Sequence, residues 1–138
     1  MADAEIRAGH RADVDAVRAL WAVARSPHAS TPDGAAAVQR AIDAGALLVA
    51  ERDGAIVGTL VAGWDGWRGS MARLAVAHAE RGQGIARRLV DEGERRLRER
   101  GASRINALVD ASDDGVRAMW RTLGYGEDAA TMRFVRDL

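Results

Sequence analysis

Residues 73–90, RLAVAHAERGQGIARRLV, join a strand-like segment to a long helix through a loop that contains two glycines. Small or apolar residues recur every four positions from residue 85 to residue 97, with charged residues between them, which predicts an amphipathic helix over 83–100 that Gly101 ends. Gly82 and Gly84 allow the backbone to bend tightly before this helix. The first helical turn then exposes N–H groups with a partial positive charge, which favour the binding of an anion.

Arginines surround this helix start. Arg87 and Arg88 lie in or next to the first turn, where cations oppose the helix dipole, and Arg81 lies just outside it. A bound phosphate group would supply the missing negative charge. Alternatively, Arg87 and Arg88 pair with Asp91 and Glu92 four residues further on and belong to a solvated helix face. In this interpretation the acidic residues of the helix pair in turn with later arginines, namely Asp91, Glu92 and Glu94 with Arg95, Arg96 and Arg98. The sequence predicts a phosphate site at the loop and leaves the role of each arginine side chain open.

The rest of the chain alternates short strand-like and helical segments in the order βααβββαβαβ. Strands are predicted at 4–7, 46–52, 55–64, 67–78, 104–109 and 131–138, and helices at 13–24, 32–45, 83–100 and 113–124. Asp53-Gly54 and Asp65-Gly66 predict two-residue hairpin turns, the second with Trp64 and Trp67 facing each other across the strands. The strand–helix–strand unit over 70–109 predicts a parallel pair. We therefore expect one α/β domain over 1–138, with a mixed, mostly antiparallel sheet that contains one parallel pair and is flanked by helices.

Composition excludes several functional classes. Twenty acidic and twenty basic residues give a formal net charge of zero, so neither nucleic acid nor an anionic membrane is expected as a partner. Every basic residue is Arg, which excludes a Schiff-base lysine and a P-loop, and the lack of Cys excludes a thiol nucleophile. The three His are far apart in the sequence, so no metal site is predicted. No apolar run reaches the ~18 residues of a membrane span, and a cytoplasmic protein is expected.

Three segments together carry a resemblance to a known family. RGQGIA at 81–86 resembles the [QR]xxGx[GA] pyrophosphate loop of the GNAT acetyltransferases, RLAV at 73–76 looks like their fourth strand, and WRTLGY at 120–125 is similar to their FYxxxGF segment. The resemblance spans nearly the whole chain, because the order of elements also matches. A dinucleotide-binding enzyme is the more remote alternative, since GQGIAR lacks the third glycine of GxGxxG.

The resemblance implies an N-acetyltransferase that uses acetyl-CoA to acetylate an amine of a small molecule or peptide, without a metal. It implies that backbone N–H groups of the loop hold the pyrophosphate of CoA, through Arg81, Gly82, Gln83, Gly84, Ile85, Ala86 and Arg87. The pantetheine arm would lie along Leu74, Ala75 and Val76, with a backbone N–H near Ala75 or Val76 as the oxyanion donor. A homodimer is expected at the level of the family.

The catalytic acid and base are less evident. Trp120, expected to contact the cofactor, stands where many relatives place a tyrosine acid, and indole cannot protonate a thiolate. Either water protonates the thiolate, or the chain is a degenerate acyl-CoA sensor without turnover. The single Tyr, Tyr125, aligns with a packing aromatic. With two-residue turns, Glu51 lies opposite Ile56 and Ile56 opposite Ala75 on one face, which makes Glu51 the candidate base; an exposed edge carboxylate is the alternative.

Overall fold

Five strands form one sheet in this computed structural model, which describes residues 3–24 and 33–138. The strands are β1 Glu5–Ala8, β2 Leu47–Arg52, β3 Ala55–Trp64, β4 Gly69–Val76 and β5 Ile105–Ala107. The helices are α1 Val14–Ala24, α2 Ala35–Asp43, α3 Ile85–Arg100 and α4 Asp114–Thr122. These bounds match most of the elements that the sequence predicts, although residue 32, where the second predicted helix begins, lies outside the described residues.

The strands are ordered β1-β2-β3-β4-β5 across the sheet. Neighbouring strands are antiparallel except β4 and β5, which are parallel, so the predicted mixed sheet with one parallel pair is confirmed. β5 pairs with β4 only from Gly69 to Met71, and β4 then continues to Val76. The sheet consequently opens between the C-terminal ends of these two strands.

Alternating side chains of the sheet build a core on each face. Leu48 and Ala50 of β2 lie in the core under α3, whereas Leu47 and Val49 lie in the core under α1 and α2. All four are fully or almost fully buried, which is the pattern of a strand covered on both sides. The helices therefore flank the sheet on both faces, as predicted.

The connection between β3 and β4 differs from the predicted two-residue turn. Trp64 pairs with Gly69, so residues 65–68 form a longer loop, in which Asp65 Oδ1 accepts hydrogen bonds from the N–H groups of Trp67 at 2.8 Å and Arg68 at 2.6 Å. These two bonds stabilise a loop that an Asp-Gly pair alone does not indicate. The predicted pairing of Trp64 with Trp67 is also wrong, because Trp67 lies in the loop, 76% exposed, with the Arg68 guanidinium 5.0 Å from the centre of its ring.

The predicted last strand, residues 131–138, is wrong as well. These residues have no strand geometry and all of them are exposed, including Phe134 at 91%. Strand-forming residue types become a strand only where a neighbouring strand offers backbone partners, and none of the described strands pairs with this segment.

The glycine in the middle of α3 lies directly on the sheet, and this generates a prediction about stability. A Cβ at Gly93 would be 2.9 Å from Leu60 Cδ2 and 2.9 Å from Met71 Cε. We expect Gly93→Leu to lower the free energy of unfolding by about 1–3 kcal/mol through overpacking, measured by urea denaturation. Gly115→Leu, at an exposed position of α4, is the control, and it should not lose stability because leucine has a higher helix propensity than glycine. Equal stability of the two variants would contradict the packing.

Candidate active site

The loop that precedes α3 bends at two glycines. Gly82 has φ 79° and Gly84 has φ 80°, both in the left-handed region that side chains disfavour. A Cβ built at either position would meet no atom of the described residues within 4 Å. The bend therefore faces open space, and it is the backbone conformation that requires glycine at these two positions.

The N-terminus of α3 has an unusual cap. Gly84 precedes the helix, and among the described residues no side chain accepts a hydrogen bond from its first turn, which also contains no acidic residue. The shorter α4 shows the usual arrangement, in which Asp113 Oδ1 accepts from the N–H of Val116 at 3.0 Å. The first turn of α3 thus presents backbone donors and the positive end of the helix dipole to an anion.

Packing against β3 places this helix end beside the end of β4. Ile85 and Leu89 are 2% and 0% exposed. A Cβ at Gly58 of β3 would be only 3.0 Å from Ile85 Cγ2 and 3.1 Å from Leu89 Cδ1, so the missing side chain lets α3 approach the sheet. Gly58 also pairs with Val76, the last residue of β4. The strand end and the glycine-containing loop are therefore brought together, as the sequence predicts.

A buried arginine attaches the loop to the neighbouring hairpin. The side chain of Arg52, at the end of β2, is 8% exposed and forms an ion pair with Glu80. Arg52 Nη1 also donates to Gln83 Oε1 at 2.9 Å. Sequence reasoning missed this residue; the only signal was a second charged residue, after Glu51, at the end of an apolar strand. Arg52 thus fixes the loop on the side where it leaves β4.

The part of β4 that follows its pairing with β5 contains a β-bulge. Thr59 pairs with Ala75 and Val61 pairs with Ala72, so two residues of β4, Arg73 and Leu74, face a single residue of β3. Arg73 has φ 55°, which is uncommon for a residue with a side chain. The bulge therefore lies directly before Ala75, within the strand segment that has no β5 neighbour.

The arginines of the helix start have different surroundings. Arg87 Nη2 donates to the carbonyl oxygen of Thr122 at 2.9 Å, where a cation meets the negative end of α4. Arg81 Nε donates to the carbonyl oxygen of Val76 at 3.3 Å, and Arg88 is exposed. Their side chains thus border the loop, while its anion-binding potential comes from the backbone.

Further along α3 the charges form a solvated ion-pair face. Glu92 Oε1 lies 2.5 Å from Arg95 Nη2 and 3.0 Å from Arg96 Nε. Hydrogen bonds from these two guanidinium groups lower the pKa of Glu92 to about 2. In this part of the helix the ion-pair interpretation is therefore confirmed, and the pair of Glu92 with Arg96, four residues further on, is a predicted one.

In the structure, Glu51 and Ala75 pair with residues at different positions along β3. Glu51 lies opposite Ile56, as predicted, but Ala75 lies opposite Thr59, three positions along β3 and about 10 Å away at ~3.3 Å per residue. The predicted Ile56–Ala75 pairing is wrong because the connection between β3 and β4 has four residues instead of two, and the β4 bulge shifts the register by one residue more.

Glu51 is also held by an ion pair. Its Oε2 accepts from Arg7 Nε at 2.7 Å, and the same guanidinium binds Asp13, whose pKa it lowers through these hydrogen bonds. The side chain of Glu51 is 30% exposed. Its role as a base stays a prediction, now without the register that suggested it.

Both aromatic residues of the WRTLGY segment pack into the core under α3. Trp120 is 6% exposed and makes an edge-to-face contact with Tyr125, with ring centres 4.9 Å apart. Tyr125 Oη donates to Glu94 Oε2 at 2.7 Å, about 15 Å along α3 from its first turn. Burial, and secondly this hydrogen bond, raise the pKa of Tyr125, so its hydroxyl is a weak acid and a packing group. Contact between Trp120 and a cofactor stays a prediction.

Within residues 3–24 and 33–138, no group of three or more His, Asp or Glu side chains could hold a metal ion. No helix within the same residues has the length and apolar character needed to cross a membrane.

Comparison with known proteins gives matches over most of the chain. The family model described as "Acetyltransferase (GNAT) family" matches residues 14–125. Ard1 from Thermoplasma volcanium superposes with a TM-score of 0.80 at 18% identity, over 93% of this chain and 86% of that one. AAC(6')-Iy in complex with a CoA bisubstrate analogue gives 0.79 at 17%, over 99% and 100%. The ribosomal-protein alanine N-acetyltransferase from Escherichia coli gives 0.74 at 17%, over 91% and 79%. These structural likenesses show a shared fold.

The contact of Arg52 with the loop leads to a prediction. Arg52→Met retains much of the apolar stem but removes the ion pair with Glu80 and the hydrogen bond to Gln83. We expect several-fold faster amide hydrogen exchange at residues 81–85, measured by mass spectrometry on the full chain, because the loop opens more often.

Arg117→Met is the matched control for this experiment, since it removes the exposed ion pair between Arg117 of α4 and Glu127. It should leave exchange in the loop unchanged. Loop exchange that is equally slow in Arg52→Met and in the original chain would show that Arg52 does not hold the loop.

Proposed function

Since the chain belongs to the GNAT acetyltransferase family, we propose that it transfers the acetyl group of acetyl-CoA directly to an amine of a small molecule or peptide. The observation that carries the proposal is the uncapped N-terminus of α3, placed beside the open end of β4. Structural relatives named as an aminoglycoside and a ribosomal-protein N-acetyltransferase support an amine as the acceptor. A cytoplasmic homodimer is proposed from the sequence and its resemblance alone.

The residues of the loop fit the diphosphate of CoA. Gly82 and Gly84 leave open space where side chains would stand, and the first turn of α3 offers donors with no side-chain acceptor among the described residues. We assign the diphosphate to the backbone N–H groups from Arg81 to Arg87. The pantetheine arm, which carries amide groups, suits the segment Leu74–Val76, where β4 has no β5 neighbour.

The chemistry needs few side chains. Acetyl-CoA supplies the acetyl group as a thioester. The neutral amine attacks the carbonyl carbon, the carbon–sulfur bond breaks, the nitrogen loses a proton, and the thiolate gains one. A backbone N–H near Ala75 or Val76 stabilises the oxyanion that develops on the carbonyl oxygen. No covalent enzyme intermediate is required, which agrees with a chain that has no Cys.

A sensor that binds acyl-CoA without turnover is the second candidate. This candidate is favoured by the lack of an evident catalytic acid. Trp120, which stands where many relatives place a tyrosine, is buried, and the hydroxyl of Tyr125 is bonded to Glu94. In the catalytic proposal, water protonates the thiolate instead. A thiolate is a good leaving group, so a dedicated acid is not essential for the step.

The two candidates differ in thiol release. The full chain is mixed with acetyl-CoA and a panel of amines, namely aminoglycosides, polyamines, amino acids, peptide N-termini and lysine peptides. We expect at least one class to raise the rate of free-thiol release by about tenfold or more over the amine-free reaction, with one acetylated amine per thiol by mass spectrometry.

Saturable binding of CoA without release on any amine would favour the sensor. Absence of CoA binding, with stabilisation by NAD in a thermal-shift assay, would contradict both candidates and support the dinucleotide alternative.

A further inference from the structure

Residues outside β4 hold both the backbone and the side chain of Arg73, which lies in the β4 bulge. Its carbonyl oxygen accepts from Thr59 Oγ1 at 3.0 Å. Its guanidinium carbon lies 5.2 Å from the centre of the Trp21 ring, and its Nη2 forms an ion pair with Asp33 Oδ1 at 2.5 Å. Both the backbone and the side chain of Arg73 are therefore fixed, and its left-handed φ persists because these contacts determine it.

The hydroxyl of Thr59 is itself oriented by Trp21. Trp21 Nε1 donates to Thr59 Oγ1 at 2.7 Å, so this oxygen accepts from the indole and donates to Arg73. Thr59 is 0% exposed and Trp21 is 5% exposed. The three groups form a buried hydrogen-bonded chain, Trp21–Thr59–Arg73, which links α1 to the bulge across β3.

This chain ends at the part of β4 on which the reaction depends. Thr59 pairs with Ala75, and the bulge occupies the two residues before Ala75. A bulge turns the backbone of its strand, so its conformation decides where the following N–H groups point. Loss of the bond from Thr59 would remove one constraint on the carbonyl of Arg73 and loosen the backbone at Ala75.

We propose that Thr59 is a positioning residue, with Trp21 as its orienting partner, that holds the β4 bulge and thereby aims the oxyanion-binding N–H near Ala75 at the acetyl carbonyl. The inference rests on the proposed acetyl transfer. It adds a role for two side chains on the face of the sheet that α1 covers. Trp21 then orients Thr59 in addition to packing in the core under α1.

Thr59→Val tests the proposal, because valine has nearly the same shape and lacks the hydroxyl. We expect kcat for the best amine to fall by about tenfold or more, because a misdirected oxyanion donor stabilises the transition state less. The dissociation constant of CoA should change less than about twofold, since the diphosphate is held by the loop. Thr59→Ser, which keeps the hydroxyl, should recover most of kcat.

Thr131→Val is the control, because it removes an exposed hydroxyl that donates to Asp128 in the C-terminal segment. It should leave kcat unchanged. A Thr59→Val chain with a lower melting temperature but unaltered kcat would show that the hydroxyl is merely structural and would overturn the proposal.

Two further outcomes keep the test decisive. If Thr59→Val does not fold, Trp21→Phe removes the indole N–H and keeps an aromatic side chain, and it should lower kcat while CoA binding is retained; unaltered kcat there overturns the proposal equally. If the original chain releases no thiol with any amine, both the acetyl transfer and the positioning role fail. If it does and the variants match it, the positioning role alone fails.

Discussion

Backbone N–H groups at the start of α3 are the feature on which the rest of the site depends. A helix start usually finds an acceptor in its own cap, as α4 does in Asp113, whereas α3 has glycine there. Burial of Ile85 and Leu89 against β3 fixes the direction of these donors. The proposed anion binding is in consequence a property of the main chain, and Arg87 uses its side chain elsewhere, on the carbonyl of Thr122.

Two departures from regular structure meet at the same end of the sheet. One is the bend at Gly82, and the other is the bulge at Arg73. Each is secured by a buried polar side chain from a neighbouring strand, the bend by Arg52 and the bulge by Thr59. Buried polar groups restrict conformation most where every partner is satisfied, which fits two segments that must keep an irregular shape. Local irregularity of this kind is typical of functional sites.

Local signals were sufficient to predict the helix, its loop and the parallel pair. The spacing of Ile85 to Leu97 specifies a helix face, and glycine marks a bend that other residues resist. The crossover from β4 through α3 to β5 follows from the order of elements, because parallel neighbours require such a connection. These features depend on residues close in sequence, which is why the anion-binding loop could be located without a structure.

The remainder depends on contacts between distant residues. The Ile56–Ala75 register failed because residues 65–68 form a longer loop than Asp65-Gly66 indicates, and because a bulge forms at Arg73, where no residue type signals a left-handed backbone. The last strand failed because pairing requires an edge that the segment itself does not contain. Thr59 and Arg52 were missed because a buried polar residue shows its role only when its partners are known.

The affinity of CoA for two variants at opposite ends of α3 tests the central claim most directly. Gly84 and Gly101 flank the helix, with φ of 80° and 108°. No described atom lies within 4 Å of a Cβ built at either position. Valine therefore meets no clash at either glycine, and it causes comparable backbone strain at both because both are left-handed. By isothermal titration calorimetry, Gly84→Val should weaken CoA binding by about tenfold or more, while Gly101→Val should bind like the original chain. Unchanged affinity in Gly84→Val would contradict the assignment of the diphosphate to this helix start.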